Sequence, residues 1–527
     1  MPRPSVMAHS FARVPGPQIQ RSSFNRSHGW KGTFDAGYLV PFFVDEVLPG
    51  DTFNLRTTFF ARLATPLHPF MDNMFMDTFF FFVPYRLVWD NWEKFNGAQD
   101  DPGDSTDFLV PTVDFGTVGA QSVPDYLGLP LGNTPPVSSL PFRAINLIWN
   151  EWFRDENLQD SLSVPKGDGP DSSGLWPLSR RGKRHDYFTS ALPWPQKGPA
   201  VPLPLTGNAP VVGIGVDDAN PSAGFSNTDR LIRESDGADR TYSDTWATSS
   251  AGLYVEADGA SSATAYPQIF ADLSQVTAAT INTLRQSFQV QRLYERDARG
   301  GTRYVEILKA HFGVTSPDQR LQRPEYLGGG STMVNVNPLA QTSESGSTPQ
   351  GNLAAVGTAS ASGHGFTKSF VEHGVVLGFV SARADLNYQQ GINRMWSRST
   401  RWDFYWPALA HLGEQAVYNK EIYNDVAGGT NDDVFGYQER WAEYRYKPSL
   451  VTGHFRSDFG TPLDTWHLAQ DFASLPVLDD TFIQENPPVD RVIAVPSEPH
   501  FLFDAYFDLK CARPMPMYSV PGMIDHF

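Results

Sequence analysis

The two most regular strand patterns in this chain lie at its opposite ends, and that separation constrains the fold more than any other feature. Phe53, Leu55, Thr57, Phe59, Ala61 and Leu63 fall on one side of an extended segment, with Asn54, Arg56, Thr58 and Arg62 on the other. Period two over this length is the signature of a half-buried strand, and Pro49-Gly50-Asp51 supplies the turn that launches it. Met74 to Val83 is a nearly all-apolar strand closed by Pro84, as expected of a strand buried on both faces. Near the other terminus Phe501, Phe503, Ala505, Phe507 and Leu509 alternate with Leu502, Asp504, Tyr506, Asp508 and Lys510. The prediction is one sheet system, closed by segments distant in sequence.

Composition supports a mainly β chain with long loops. Gly and Pro together number 86 of 527 residues, above the ~12% of an average protein, which argues for many turns and against a helical bundle. Few helices are predicted. Pro141 opens one with Ile145, Ile148, Trp149 and Trp152 on a single face; a second spans 278–297, with Ile281, Leu284 and Phe288. A third carries Tyr304, Ile307, Leu308 and His311 and stops at Gly313. All three read as covers on the sheets.

Four stretches differ in character. Residues 1–34 hold Arg3, Arg13, Arg21, Arg26 and Lys31 with no Asp or Glu, and prolines break any helix: a basic extended arm. Such an arm laces over a neighbouring subunit, meets phosphate groups, or does both. Residues 35–157 and 277–527 carry the sheet pattern, and 158–276 shifts to Ser, Gly, Asp, Pro and Ala, with 14 acidic and 9 basic residues. A structureless loop this long inside a compact body is improbable, so 158–276 is expected to project, with short hairpin strands at 210–216 and 252–255. The Gly/Ser/Thr-rich stretch from Gly328 to Gly365 is expected to lie on a surface.

The usual catalytic constellations are missing. Gly182-Lys183 lacks the rest of a phosphate loop, and no HExxH or GxSxG motif occurs. Gly328-Gly329-Gly330 reads as plain loop, and His364 and His373 as structural histidines. The Asp pairs at 100–101, 217–218, 432–433 and 479–480 read as solvated turns. Cys511 is the only cysteine, so neither a disulfide nor a cysteine zinc site is expected. No apolar leader opens the sequence and no bilayer-spanning run follows, so synthesis in a reducing cytoplasm, without a membrane, is expected.

Basic residues interleaved with aromatics are the one signal above background. Arg394, Arg398 and Arg401 alternate with Trp396, Trp402, Tyr405 and Trp406; Arg440, Arg445 and Lys447 stand among Trp441, Tyr444 and Tyr446. Rings stack on unpaired bases while guanidinium groups hold phosphates, which is how single strands are gripped without sequence preference. The competing reading makes the aromatics core and pairs the arginines with Asp403, Glu439 and Glu443.

Several long strings resemble the major capsid proteins of gokushoviruses, small single-stranded-DNA phages of the Microviridae. They include SHGWKGTFDAGYLVP (27–41), FFFFVPYRLVWDNW (79–92), LQRPEYLGGG (321–330), QGINRMWSRSTRWDFYWP (390–407), FGYQERWAEYRYKPS (435–449) and YFDLKCARPMPMYSVPGMIDHF (506–527). The likeness covers about 27–157 and 278–527; residues 158–276 match poorly, as that family's variable insertion would. The resemblance implies an eight-stranded antiparallel jelly-roll sandwich, sixty copies in a T=1 icosahedral shell around circular single-stranded DNA, and an insertion projecting at three-fold axes for host attachment. It also implies a small basic DNA-packaging peptide, a transient internal scaffolding protein and a minor pilot protein as partners, with assembly in the bacterial cytoplasm. Charge agrees with a separate packaging peptide: net charge is −17, and residues 35–527 carry 36 Lys and Arg against 58 Asp and Glu. So acidic a tile cannot neutralise a genome, and the counter-charge comes from a peptide, polyamines or divalent ions. The arm and the Arg/aromatic clusters are then expected on the inner wall, as the DNA contacts. A β-sandwich carbohydrate-binding or carbohydrate-active protein, using exposed Trp as sugar platforms, is the alternative.

Overall fold

The computed structural model describes residues 20–201, 281–314, 322–346, 348–427 and 429–518, with four short strands inside 202–280. Eight antiparallel strands make the body: β1 (Ser22–Asn25, continued in the same register by His28–Phe34), β2 (Val40–Val47), β3 (Thr52–Leu63), β4 (Met74–Pro84), β5 (Glu325–Ala340), β6 (Leu353–Ser369), β7 (Gly374–Ala384) and β8 (Phe501–Arg513). One sheet has the order β1-β8-β3-β6 and the other β5-β4-β7-β2, the double Greek-key order of a jelly roll. The predicted fold class holds.

The sheets join through β5, whose residues 325–334 pair with β4 and whose residues 335–340 pair with β6. On the opposite side β1 and β2 meet through side chains: Arg26 bonds Asp45, and the His28 and Trp30 rings pack on Phe43 and Phe42. Between the sheets lies an aromatic core that includes Phe34, Phe53, Phe80, Phe501 and Phe507.

The outer faces differ, which is why the strands read differently in sequence. Beyond β3 and β8 the sheet is open, so Phe60, Leu502 and Tyr506 are exposed and alternation is clean. Beyond β4 and β7 lies a second core, where Phe81, Val83, Val375, Leu377 and Phe379 pack under helix α1 (Leu140–Ile148) with Trp89, Trp149 and Trp176. Both faces are apolar there, so no alternation remains. Helix α2 (Ile281–Gly300) and helix α3 (Tyr304–Phe312) follow; α3 ends on Gly313 at φ +69° and leaves Tyr304 and Phe312 exposed.

Gly328-Gly329-Gly330 is not the plain loop expected, but lies within β5. The residues of the Gly/Ser/Thr-rich stretch form most of β5 and β6, and the glycines mark close backbone approach: a Cβ on Gly329 would lie 2.0 Å from the Thr78 carbonyl oxygen. Gly330 leaves room for the His364 ring, whose Nδ1 and Nε2 lie 2.9 and 3.2 Å from the hydroxyls of Thr78 and Thr332. Burial lowers the His364 pKa.

The contacts divide the chain into two compact units, one of residues 1–197 and 295–527 and one of Gly198–Tyr294. Within the second, Val211–Val212 pairs with Phe270–Ala271 and Leu231–Arg233 with Asp239–Thr241. The hairpin strand expected at 252–255 lies outside the described residues. Trp176, Tyr187 and Phe188 belong to the cores of the first unit. Among the described residues no helix is long and apolar enough to cross a membrane.

Candidate nucleic-acid interface

The Arg/aromatic clusters sit on a third packed layer. A hairpin of Glu414–Tyr418 and Val434–Glu439 carries Val417 and Phe435, which pack with Phe188, Tyr388, Ile422 and Phe482. Short turns at Arg394–Ser397, Arg401–Asp403 and Pro407–Leu409 run over this base, and the turn Ala442–Tyr444 follows the hairpin. Trp441 starts that last turn at φ +71°, held by its indole N–H on the Leu409 carbonyl at 3.1 Å.

The two clusters form one surface. Tyr405 packs against Trp441 and Tyr444 at 5.7 and 6.4 Å, and the Arg398 guanidinium stands 4.2 Å from the centre of the Tyr444 ring. The aromatics are not core, with the exception of Trp441: Trp396 is 75% exposed and Trp402 59%, and Phe404, Tyr405, Trp406 and Tyr444 are also exposed.

The cations divide into two sets. Arg394 donates to Glu421 at 3.1 Å and to the Ala416 carbonyl at 2.6 Å; Arg398 pairs with Glu443 at 3.2 Å and Arg445 with Glu439 at 2.6 Å. Arg401, Arg440 and Lys447 have no carboxylate partner among the described residues. Instead Arg401 lies 4.5 Å from the Trp406 ring centre, and Arg440 lies 4.8 Å from that of Trp441. Asp403 serves its own turn rather than an arginine, accepting the N–H groups of Thr400 and Ser399 at 2.7 and 3.0 Å. Those bonds hold its pKa at about 2. A cavity of about 550 Å³ opens between the clusters, lined by Arg394, Arg398, Arg440, Trp402 and Trp441 among others.

Glu421 is the member the sequence did not disclose. Buried, it accepts the Tyr187 hydroxyl at 2.9 Å and the Tyr418 N–H at 3.0 Å besides Arg394, and burial raises its pKa against the pull of Arg394. Tyr187 is too distant in sequence for any local pattern to join it to this site.

The basic residues of the arm lie elsewhere. Arg21 donates to the Gly50 carbonyl at 2.7 Å, Arg26 is bound to Asp45, and Lys31 pairs with Asp504 at 3.1 Å in an exposed contact on β8. Arg3 and Arg13 lie outside the described residues. No cluster of metal-ligating side chains occurs among the described residues.

Comparison with known proteins places the chain in a family. Residues 12–523 match the family model of the phage capsid protein called F protein. The chain is 51% identical to the capsid protein VP1 of Bdellovibrio phage phiMH2K, over 98% of each chain. It is 47% identical to VP1 of Chlamydia phage 1, over 99% of this chain and 98% of that one, and 36% identical to VP1 of Spiroplasma virus 4, over 99% of each. The chain belongs to the phage capsid protein (F protein) family, and within it to the gokushovirus-type major capsid proteins of the Microviridae.

Proposed function

We propose that this chain is the tile of a T=1 icosahedral shell of sixty copies enclosing circular single-stranded DNA, a structural rather than a catalytic role. One observation carries the reading: Trp396, Trp402, Phe404, Tyr405, Trp406 and Tyr444 are exposed on a body whose own cores are already filled. An apolar surface of that kind is covered by another molecule. Rings of subunits about symmetry axes bury several different patches per copy, and a packaged strand covers those that face inward.

In this reading Arg401, Arg440 and Lys447, with Arg3 and Arg13 of the arm, supply phosphate contacts, and the exposed rings supply stacking. Most of the counter-charge comes from a small basic packaging peptide, because the tile itself carries −17. A transient internal scaffolding protein and a minor pilot protein complete the partners, and assembly proceeds in the bacterial cytoplasm. Of the interval 158–276, the part from Gly198 onward serves host attachment from an outward position, since Trp176, Tyr187 and Phe188 are packed in the body; the polar composition of the interval and the separate compactness of Gly198–Tyr294 support that role.

Electron microscopy of the purified chain tests the reading. Uniform spherical particles, or pentameric precursors, are expected. A monomer at high concentration that binds oligosaccharide through the exposed tryptophans overturns it in favour of the carbohydrate-binding alternative.

A further inference from the structure

A larger cavity, of about 900 Å³, lies within the first unit against the outer face of β4 and β5. Seven Lys and Arg and five Asp and Glu line it, a positive balance in an acidic protein. Most of these arginines are engaged; Arg299, for example, pairs with Glu414 and Glu439. Lys183 is different. It is 8% exposed, its ammonium stands 4.4 Å from the centre of the Phe482 ring, and it has no carboxylate within ion-pair distance among the described residues. Burial lowers its pKa. Gly182 packs on the Phe153 backbone, and Arg154 lines the same cavity as Lys183; its Nη1 reaches only the Gln159 carbonyl, at 2.9 Å, and its Nε is buried without a partner. Glu485 and Asp186 stand near enough to favour the charge of Lys183, but neither forms a direct ion pair with it; a buried cation without such a pair costs stability, and an anion entering the cavity reduces that cost.

Aromatic rings line the same cavity. Trp152 and Tyr326 pack with ring centroids 6.1 Å apart, tilted by 43°, and remain 38% and 44% exposed, with Phe79, Phe81 and Phe153 also in the lining and the Arg323 guanidinium 4.7 Å from the Trp152 ring centre. Recognition pockets run from about 300 to 1,000 Å³, so the space suits a ring with an attached anion.

We infer that this cavity binds one nucleoside phosphate unit, its phosphate on Lys183 and Arg154 and its base against Trp152 and Tyr326. The unit comes from free nucleotide or from a strand of DNA; the inference rests on and deepens the DNA-contact reading above and names a site that borders the exposed clusters at Arg445 and Tyr446.

Calorimetry on the purified chain tests it with thymidine 5′-monophosphate, thymidine, inorganic phosphate and a ten-residue oligothymidylate. Saturable binding of the monophosphate is expected, with thymidine and phosphate each at least tenfold weaker. Lys183→Met should weaken the monophosphate at least tenfold while leaving the chain folded, since the ammonium makes no direct ion pair that the substitution would break. Tyr326→Leu should weaken the monophosphate but not phosphate. Competition by the oligothymidylate that depends on Lys183 assigns the site to a DNA strand; monophosphate binding without such competition assigns it to free nucleotide. The inference is overturned by absence of saturable binding, by unchanged binding in Lys183→Met, or by phosphate binding as tightly as the monophosphate. If particles still form and retain DNA in that event, the shell reading stands without it.

Discussion

Arg143 grips Asp171 with two parallel bonds, Nε to Oδ2 and Nη2 to Oδ1, each 2.7 Å, and both side chains are almost completely buried. The remaining guanidinium arm donates to the Val88 carbonyl at 3.0 Å, so one residue of α1 ties two distant loops. Removing one partner strands the other charge. Arg143→Met or Asp171→Asn should cost about 3–5 kcal/mol in denaturant unfolding, and a double apolar replacement should recover much of that loss.

Gly329 gives the sharpest steric prediction. Ala at this position meets the Thr78 carbonyl oxygen, and a backbone atom cannot rotate away, so a loss of about 3 kcal/mol or more is expected in thermal unfolding. Gly346→Ala, with open space around it, should change stability by less than about 0.5 kcal/mol.

Glu485 makes stability depend on pH. Burial pushes its pKa to about 7, above the ordinary value of 4.5, although Lys183, Arg181 and Arg383 pull it down. The folded state therefore holds a proton that the unfolded state releases between pH 4.5 and 7, so this residue's contribution falls as pH rises across that window. Glu485→Gln should be more stable than the parent by about 1–3 kcal/mol at pH 8 and nearly equal to it at pH 4.5, measured by urea unfolding at both values.

The exposed rings should matter to association and not to folding. Trp396→Ser and Trp402→Ser are expected to shift unfolding by less than about 0.5 kcal/mol. If the rings hold bases, each should lose about 1–3 kcal/mol of single-strand affinity, read by fluorescence anisotropy with an oligonucleotide.

The arm is best tested at Arg3 and Arg13, because Arg21 and Arg26 also bond Gly50 and Asp45 and their loss would disturb the sandwich. Particles from an Arg3→Ala, Arg13→Ala chain should assemble yet release DNA at lower salt. Unchanged salt resistance and DNA content would remove the arm from the set of phosphate contacts.

Strands with one wet face were plain in the sequence: β3 and β8 alternate because water lies beyond one side of them. β4 was legible as an apolar run, since α1 and the indoles of Trp89 and Trp176 cover its second face. β5 and β6 were not recognised as strands, and the Gly328-Gly329-Gly330 run of β5 was read as loop, because glycine serves there as the residue without a Cβ where backbones nearly touch, and that reason is tertiary. In the candidate site the aromatic and basic types were visible locally. Glu439 and Glu443 were also visible there as partners for arginine, and they hold Arg445 and Arg398; the pairing of Arg394 was not, since it depends on Glu421, and on Tyr187 reaching it from afar.

The seam between the two sheets has unequal sides. Along β5 it is covalent backbone running from one sheet into the other, whereas between β1 and β2 it is a clasp of side chains such as Arg26 on Asp45. Under an outward load such a body is expected to behave like a bound book, whose spine resists while its fore-edge gapes. Mechanical rupture should then begin at the β1–β2 margin, and strengthening that latch should toughen the fold most economically.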